Sequence, residues 1–299
     1  NMNEATNVVS EWTRQVQNGQ KPSSSDLLDH LSVVHEDNAG FTETCAWNCR
    51  DTNGKNSYEL LTDIIDTTSH FDILDLGCGS GVLLDLCNQR FSSDIKFTGV
   101  DISESELKLA RARLEHTDTR IFQGLAQNLD FLNDSSIDVI LCHWALTLMD
   151  PIIPVLNSIK RVLKNGGIFA AIIDGNGETA PGYNAVNKII YKYVQKKYPK
   201  YGILELGDTR IRTAEGVKNL VEQIFCNCKF DITPALLKYY AKPDVLARET
   251  ARFFYASYVI PPDLYTNMLT ELEEHFASYQ KNDIGCFFMA INRLTIYQN

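Results

Sequence analysis

Residues 71–86, FDILDLGCGSGVLLDL, run from an apolar, β-rich segment into three glycines within five positions and then into a helical pattern. Glycine turns the chain sharply without steric cost and lets backbone come close to another surface. Placed where a buried strand ends, the three predict a strand, a tight turn and a helix whose free N–H groups face a ligand. The alternation continues downstream. β-rich segments at 71–76, 95–100, 118–122, 137–143 and 167–174 are separated by helical patterns near 80–90, 103–115 and 151–164. That order predicts a parallel sheet covered by helices on both faces. The helix near 151–164 runs into Lys164-Asn165-Gly166-Gly167, where Asn165 and Gly166 are expected to form a left-handed cap and Lys164 to face the negative helix end. Further β-like runs at 228–240 and 285–297 bring the expected strand count to seven.

Three additions flank or interrupt the alternation. Residues 1–70 carry helical patterns at about 4–18, 25–35 and 57–68 around a polar stretch; 175–210 hold a lysine-rich helix; 243–282 read as two helices broken by Pro261-Pro262. The expected organisation is an N-terminal helical cap segment over 1–70, an α/β core over 71–175, and a remainder over 176–299 that completes the sheet around inserted helices.

A chain of 299 residues with 44% hydrophobic side chains can bury a substantial core without disulfides or metals. The eight cysteines are scattered, as in a reducing compartment, and the close pairs Cys45/Cys49 and Cys226/Cys228 lack two further ligands at metal spacing. No apolar run approaches the roughly 20 residues of a membrane span. The start of the chain lacks the pattern of a signal peptide, and Asn1 ahead of Met2 reads as the remnant of an expression tag. A soluble, cytoplasmic protein without membrane contact is expected. The net charge of -10 argues against nucleic acid as a partner, since such binding draws on lysine and arginine neutralising phosphates. In the lysine-rich stretch 187–201, tyrosines and isoleucines recur at helical spacing, as in a solvated helix with a buried apolar stripe.

Dinucleotide sites use G-x-G-x-x-G, whereas Gly77, Gly79 and Gly81 form G-x-G-x-G, with Asp75 two residues ahead. Asp101 follows the next strand, twenty residues after Gly81, where a carboxylate can accept from both hydroxyls of a ribose. Together these describe an adenosine-bearing cofactor across the carboxyl ends of the first two strands.

In LDLGCGSG (74–81), FTGVDIS (97–103), GLAQNLDF (124–131), IDVILCHWALTLMD (137–150) and RVLKNGGIF (161–169), the chain resembles the class I S-adenosylmethionine-dependent methyltransferases in motif order and spacing. The resemblance implies a doubly wound α/β fold, a Rossmann-like sheet of seven mostly parallel strands with the last antiparallel. It further implies S-adenosylmethionine as cofactor. The glycine loop of Gly77, Cys78, Gly79 and Gly81 would meet the methionine portion, Asp101 the ribose, Ile102 the adenine face, Ala126 the adenine edge, and backbone at Cys142 the methionine amino group, with Asp75 and Leu125 counted among the cofactor-binding residues. The chain departs from the family at Leu125, where many members carry an aspartate that accepts from the adenine amino group. That bond is missing or supplied elsewhere, for instance by Gln127.

Methyl transfer from a sulfonium is an in-line displacement that needs mainly alignment and a dry pocket, with a general base only for an acceptor proton of high pKa. His143, at the carboxyl end of the fourth strand, is the candidate base; its alternative is to shape the pocket or bond locally. For the acceptor, Trp47, His35 and Tyr58 are expected as a cover, Trp144 lies beside His143, and Tyr183 follows the fifth strand. Arg210 and Arg212 would suit an acidic acceptor or simply be solvated. The expected function is methyl transfer to a small molecule. A protein acceptor, or a family member that binds the cofactor without turnover, are the alternatives, and a nicotinamide oxidoreductase shares only the fold. Exposed apolar faces of the cap would serve a homodimer as well as a substrate.

Overall fold

In the computed structural model, which describes residues 9–202, 207–278 and 281–299, the alternation read from the sequence becomes a sheet. The helices are α1 (Glu11–Gln17), α2 (Ser24–Asp37), α3 (Glu43–Asn48) and α4 (Ser57–Thr62), followed by β1 (Asp72–Leu76), α5 (Val82–Arg90), β2 (Lys96–Asp101), α6 (Glu104–Arg113) and β3 (Arg120–Gln123). Then come β4 (Ile137–His143), α7 (Ile152–Val162), β5 (Leu163–Asp174), α8 (Tyr183–Lys197), α9 (Ala214–Ile224), β6 (Lys229–Ala241), α10 (Pro243–Phe253), α11 (Pro262–Ser278) and β7 (Gly285–Tyr297). The sheet has seven strands in the order β3-β2-β1-β4-β5-β7-β6. Pairings β1/β2, β1/β4, β2/β3 and β4/β5 are parallel, and β7 runs antiparallel to β5. From β1 the chain winds outward through β2 and β3, then returns to the other side of β1 for β4 and β5. The carboxyl ends of β1 and β4 therefore flank the switch point, where open α/β sheets leave a crevice for ligands.

The chain divides into two units. The sheet unit takes the described residues of 57–175, 206–235 and 291–299. Its core forms because β4 is apolar on both faces, as a central parallel strand must be, and because α7 and α9 bury stripes at helical spacing: Ile152, Val155, Leu156 and Ile159, then Val217, Leu220, Val221 and Ile224. The amino ends of β1 and β4 are aligned by Asp138, whose Oδ2 accepts from the backbone N–H groups of Phe71 and Asp72, both at 2.9 Å, while Lys164 Nζ lies 3.2 Å from Oδ1.

One expectation in this unit is corrected. Asn165 and Gly166 do not cap the helix: α7 ends at Val162, and Leu163 is already extended and buried in the core. The Asn-Gly-Gly step is instead a bulge inside β5. Ile137 pairs with Leu163 but Val139 pairs with Ile168, and Gly166 at φ 81° donates to Gln298 O at 2.8 Å. A glycine in a strand marks such a kink as readily as a helix end.

The helical unit takes the described residues of 1–56, 176–205 and 236–290. It thus gathers segments far apart in sequence, including the outer parts of β6 and β7. Trp12 stacks on His30 with centroids 4.9 Å apart, joining α1 to α2, and Arg50 bridges to Lys238. The lysine-rich stretch is α8, which buries Val186, Ile190, Tyr193 and Val194, pairs Lys192 with Glu271 and lays Lys196 over the Tyr193 ring at 4.3 Å. Among the described residues, no helix is long and apolar enough to cross a membrane.

Candidate functional site

The glycine turn is held in shape by its own hydrogen bonds. Gly77 N–H and Cys78 N–H donate to Val100 O at 2.8 and 3.0 Å, and Gly81 N–H to Cys78 O at 3.0 Å. Gly77, Gly79 and Gly81 all have positive φ, at 78°, 52° and 87°, the region that a side chain disfavours. Close approach is the second reason for glycine here. A Cβ on Gly77 would lie 2.7 Å from Ala145 Cβ, and one on Gly81 would lie 3.1 Å from Ala110 Cβ on α6. Gly81 is also the N-cap of α5, leaving the first N–H groups of that helix without intrahelical acceptors. The turn is braced from α6, where Arg113 donates to Ser80 O at 3.2 Å.

Asp101, at the end of β2, fixes the turn from the other side. Its Oδ2 accepts from Gly79 N–H at 2.8 Å and its Oδ1 from Ser103 N–H at 2.9 Å. Asp75 differs. It sits on β1 between β2 and β4, 1% exposed, and neither carboxylate oxygen has a hydrogen-bond partner. Burial, and then the charge of Asp101, push its pKa up to about 8. Burial, and after it the Asp75 carboxylate, raises the thiols of Cys78, Cys87 and Cys142, so none of them is a ready nucleophile. Glu106 on α6 adds a third acid, its Oε2 3.8 Å from where a Gly79 Cβ would be. Three acids so close to the turn favour a cationic ligand there and oppose a pyrophosphate.

At the ends of β2 and β3, Gly124 N–H donates to Asp101 O at 3.0 Å, setting Leu125 and Ala126 beside the β2 terminus. Ala126 is buried, whereas Leu125 and Phe131 are each 40% exposed, and Phe131 packs on Phe122 with centroids 4.4 Å apart. Ile102 is half-buried, and its carbonyl accepts from Gln123 Nε2 at 3.2 Å. Gln127 points its Nε2 toward Pro151 O at 3.5 Å.

At the end of β4, Cys142 is buried and His143 half-buried. His143 Nε2 and Ser57 Oγ lie 2.7 Å apart, and the imidazole stacks on Tyr58 at 3.9 Å with the rings 19° from parallel. Surrounding protein pushes the His143 pKa down to about 3 by desolvation. A ring that burial makes weakly basic, and whose Nε2 is already engaged by Ser57, is poorly set to take a proton from an acceptor. Its visible work is to join α4 to β4 and seat Tyr58. Trp144 follows at φ 53°, its N–H donating to Ile172 O at 3.1 Å; a large side chain in that region is an outlier of the kind that gathers at functional sites.

The structure brings together Asp75, Gly77, Cys78, Gly79, Gly81 and Asp101 around the turn, and Tyr58 with His143. Trp47, His35 and Tyr183 belong to the helical unit. There Trp47 O accepts from Asn56 Nδ2, His35 bonds Tyr255 Oη at 2.8 Å, and Tyr183 packs near Phe254 and Phe287. Both arginines considered for an acidic acceptor are paired within the chain: Arg210 grips Asp208 with two bonds, and Arg212 meets Asp174 at 2.9 Å. Sequence reasoning missed Ser57, Glu106 and Arg113. For Ser57 no local signal exists, since its partner is 86 positions away.

Residues 74–171 match a family model described as a methyltransferase domain. The chain is 29% identical over 133 residues to a demethylmenaquinone methyltransferase of Listeria welshimeri, covering 44% of this chain and 56% of that protein. It is 30% identical over 115 residues to a thiol S-methyltransferase of Rattus norvegicus, covering 37% and 46%. The matched stretches thus span about half the length of these curated relatives. A candidate methyltransferase from Bacillus halodurans superposes with a TM-score of 0.53 at 14% identity, over 81% of this chain and 99% of that one. A phosphoethanolamine N-methyltransferase of Haemonchus contortus, solved with phosphomonomethylethanolamine and S-adenosylhomocysteine, gives 0.53 at 15% identity, over 93% of this chain and 60% of that one. These two likenesses are of fold.

Proposed function

We propose that this protein, whose residues 74–171 match a family model described as a methyltransferase domain, transfers the methyl group of S-adenosylmethionine to a small-molecule acceptor, with S-adenosylhomocysteine as the second product. The observation that carries the reading is the acidic glycine turn: a buried Asp75 with two unpartnered oxygens beside Asp101. It is a setting for a ligand bearing positive charge, which S-adenosylmethionine carries as a sulfonium and an ammonium. When bound, the cofactor supplies an electrophilic methyl carbon on a good leaving group.

The chain's part is then to bind, orient and exclude water. In this reading Gly77, Cys78, Gly79 and Gly81 leave room for the methionine portion, Asp75 faces its ammonium, and backbone at Cys142 approaches the same group. Asp101 holds the ribose, with Ile102, Leu125 and Ala126 around the base. Tyr58, stacked on His143, and Trp144, which follows β4, are offered to the acceptor. His143 seats Tyr58 rather than moving a proton. The relatives named for demethylmenaquinone and for a thiol support a small acceptor.

Calorimetric titration with S-adenosylmethionine, S-adenosylhomocysteine and NAD in parallel tests the cofactor: both sulfur nucleotides should bind and NAD should not. Binding of NAD alone, or silence from both sulfur nucleotides, would overturn it. The acceptor class is read by supplying methyl-tritiated S-adenosylmethionine with a cell extract and separating small molecules from protein. Label confined to protein would refute the small-molecule acceptor.

A further inference from the structure

The α4 face of the sheet carries a cation with no counter-ion among the described residues. His143, Ile172 and Arg293 stand opposite one another across β4, β5 and β7, and residues in register share a face. Their chain neighbours Cys142, Ala171, Ile173 and Leu294 belong to the core with α7 and α9, so this row looks the other way, towards α4. Both of its polar members are tied to that helix: Ser57 Oγ lies 2.7 Å from His143 Nε2, and Arg293 Nη1 donates to Leu60 O at 3.0 Å.

Among the described residues Arg293 meets no carboxylate. Asp174, two register positions along β5, is held by Arg212 at 2.9 Å instead. A half-buried guanidinium with one carbonyl for a partner is costly to keep unless an anion completes it. Its nitrogens differ in access. Nε is unbonded and closed to solvent, Nη1 is committed to Leu60, and Nη2 is neither bonded nor closed, so that corner is the part a ligand can reach. Arg293 is level with the carboxyl end of β4, two strand spacings or about 10 Å away. The ligand end of the sheet is thus acidic at β1 and β2, through Asp75 and Asp101, and cationic at β7.

We propose that the Nη2 corner of Arg293 receives an oxyanion of the methyl acceptor, a carboxylate or a phosphate, and that the methyl goes to a different atom of the same molecule. This names the acceptor class for the methyltransferase reading and rests on it. Arg293 is then a specificity-determining residue. No bond to the oxyanion forms or breaks; a charge-assisted hydrogen bond holds the far end of the acceptor while the atom to be methylated lies towards β4. A guanidinium donates to either oxyanion in this way, so the shared chemistry is what the site reads.

The full chain is given methyl-tritiated S-adenosylmethionine and the small-molecule fraction of a cell extract, and the labelled product is identified by mass spectrometry. It should carry a free carboxylate or a phosphate with the methyl elsewhere, and the product itself shows which of the two. A product with neither, or one methylated on the carboxylate, would overturn the proposal and leave the methyltransferase reading standing. Label in no small molecule sinks the proposal, and nucleotide binding by calorimetry then tells whether the cofactor reading falls with it. With the acceptor in hand, Arg293→Gln, which keeps a donor for Leu60 O, should raise its KM about 10- to 100-fold and Arg293→Lys less. Turnover at saturation and S-adenosylhomocysteine affinity should stay within about threefold of wild type. The acceptor with its oxyanion removed, as the amide or the dephosphorylated form, should serve wild type and Arg293→Gln equally. A variant that slows this neutral analogue as much as the acceptor would show a merely structural role and overturn the proposal.

Discussion

Gly77→Ala tests whether the glycine turn is demanded by geometry. Gly77 has φ 78°, and its N–H is committed to Val100 O at 2.8 Å, so the residue cannot swing to negative φ without losing the bond that joins the turn to β2. An L side chain at positive φ costs about 1–2 kcal/mol. The new methyl would also lie 2.7 Å from Ala145 Cβ, well inside the roughly 3.5–4 Å at which carbons attract, with Met149 Cε in ordinary contact at 3.4 Å. Overpacking of that kind adds about 1–3 kcal/mol. The sum, about 2–5 kcal/mol, is a large share of the roughly 5–15 kcal/mol that holds a domain folded. Urea unfolding followed by circular dichroism should show the midpoint fall accordingly, with S-adenosylhomocysteine binding weakened or lost.

The two parts can be separated. Combining Gly77→Ala with Ala145→Gly removes the opposing methyl but not the backbone strain, so a double-mutant cycle should return a favourable coupling of about 1–3 kcal/mol. Gly124→Ala is the control within the same site: its methyl would meet Val100 Cγ2 at 3.6 Å, an ordinary contact, and its stability should stay within about 1 kcal/mol of wild type. Wild-type stability in Gly77→Ala, or a cycle with no coupling, would refute the reasoning.

Two further outcomes follow from the histidines. The double substitution Ser57→Ala/His143→Phe removes both partners of the 2.7 Å bond yet keeps an aromatic ring against Tyr58, so turnover of the acceptor found by screening should stay within about threefold. A loss of about 100-fold with nucleotide affinity unaltered would restore His143 as a general base. His30 is fully buried against Trp12, with Nδ1 2.7 Å from Ser10 Oγ, and burial lowers its pKa from 6.5 to about 4. Its folded pKa is depressed, so the neutral form stabilises the fold above about 6.5 and that stability is lost as pH falls from there through about 4. Between about pH 7.5 and about pH 5 the share of this one residue is about 2 kcal/mol, and His30→Phe should lose correspondingly less over that interval in urea midpoints. Equal losses in the two proteins would refute it.

What the sequence disclosed and what it hid divide along a physical line. The strands were legible because a central parallel strand must be apolar on both faces, as Ile137–His143 is. The glycine turn was legible because positive φ and close approach are demands on the backbone that few residues satisfy. Where a residue's setting depends on distant chain, reading failed or stopped. Asn165-Gly166 suits a helix cap and a strand bulge equally, and burial of Leu163 decided for the bulge. For His143 the sequence offered a base or a local hydrogen-bond partner, and it could not show that Ser57 and Tyr58 meet the ring. Arg210 and Arg212 looked available, and Asp208 and Asp174 hold them. The state of Asp75 was hidden most completely, because isolation is a property of everything that does not approach.

Leu125 shows how such settings combine. Replacing an aspartate that accepts from the base with leucine forfeits one hydrogen bond, about 0.5–1.5 kcal/mol. Leu125 is 40% exposed. Covering that exposed fraction with a flat base would recover about 1 kcal/mol, taking roughly 2 kcal/mol for a whole leucine. The two terms nearly cancel, so in the proposed reading a leucine at this position shifts how the base end would hold its ligand more than how tightly. Apolar contact discriminates poorly between purines, whereas a buried carboxylate discriminates sharply between a ligand with an ammonium and one without.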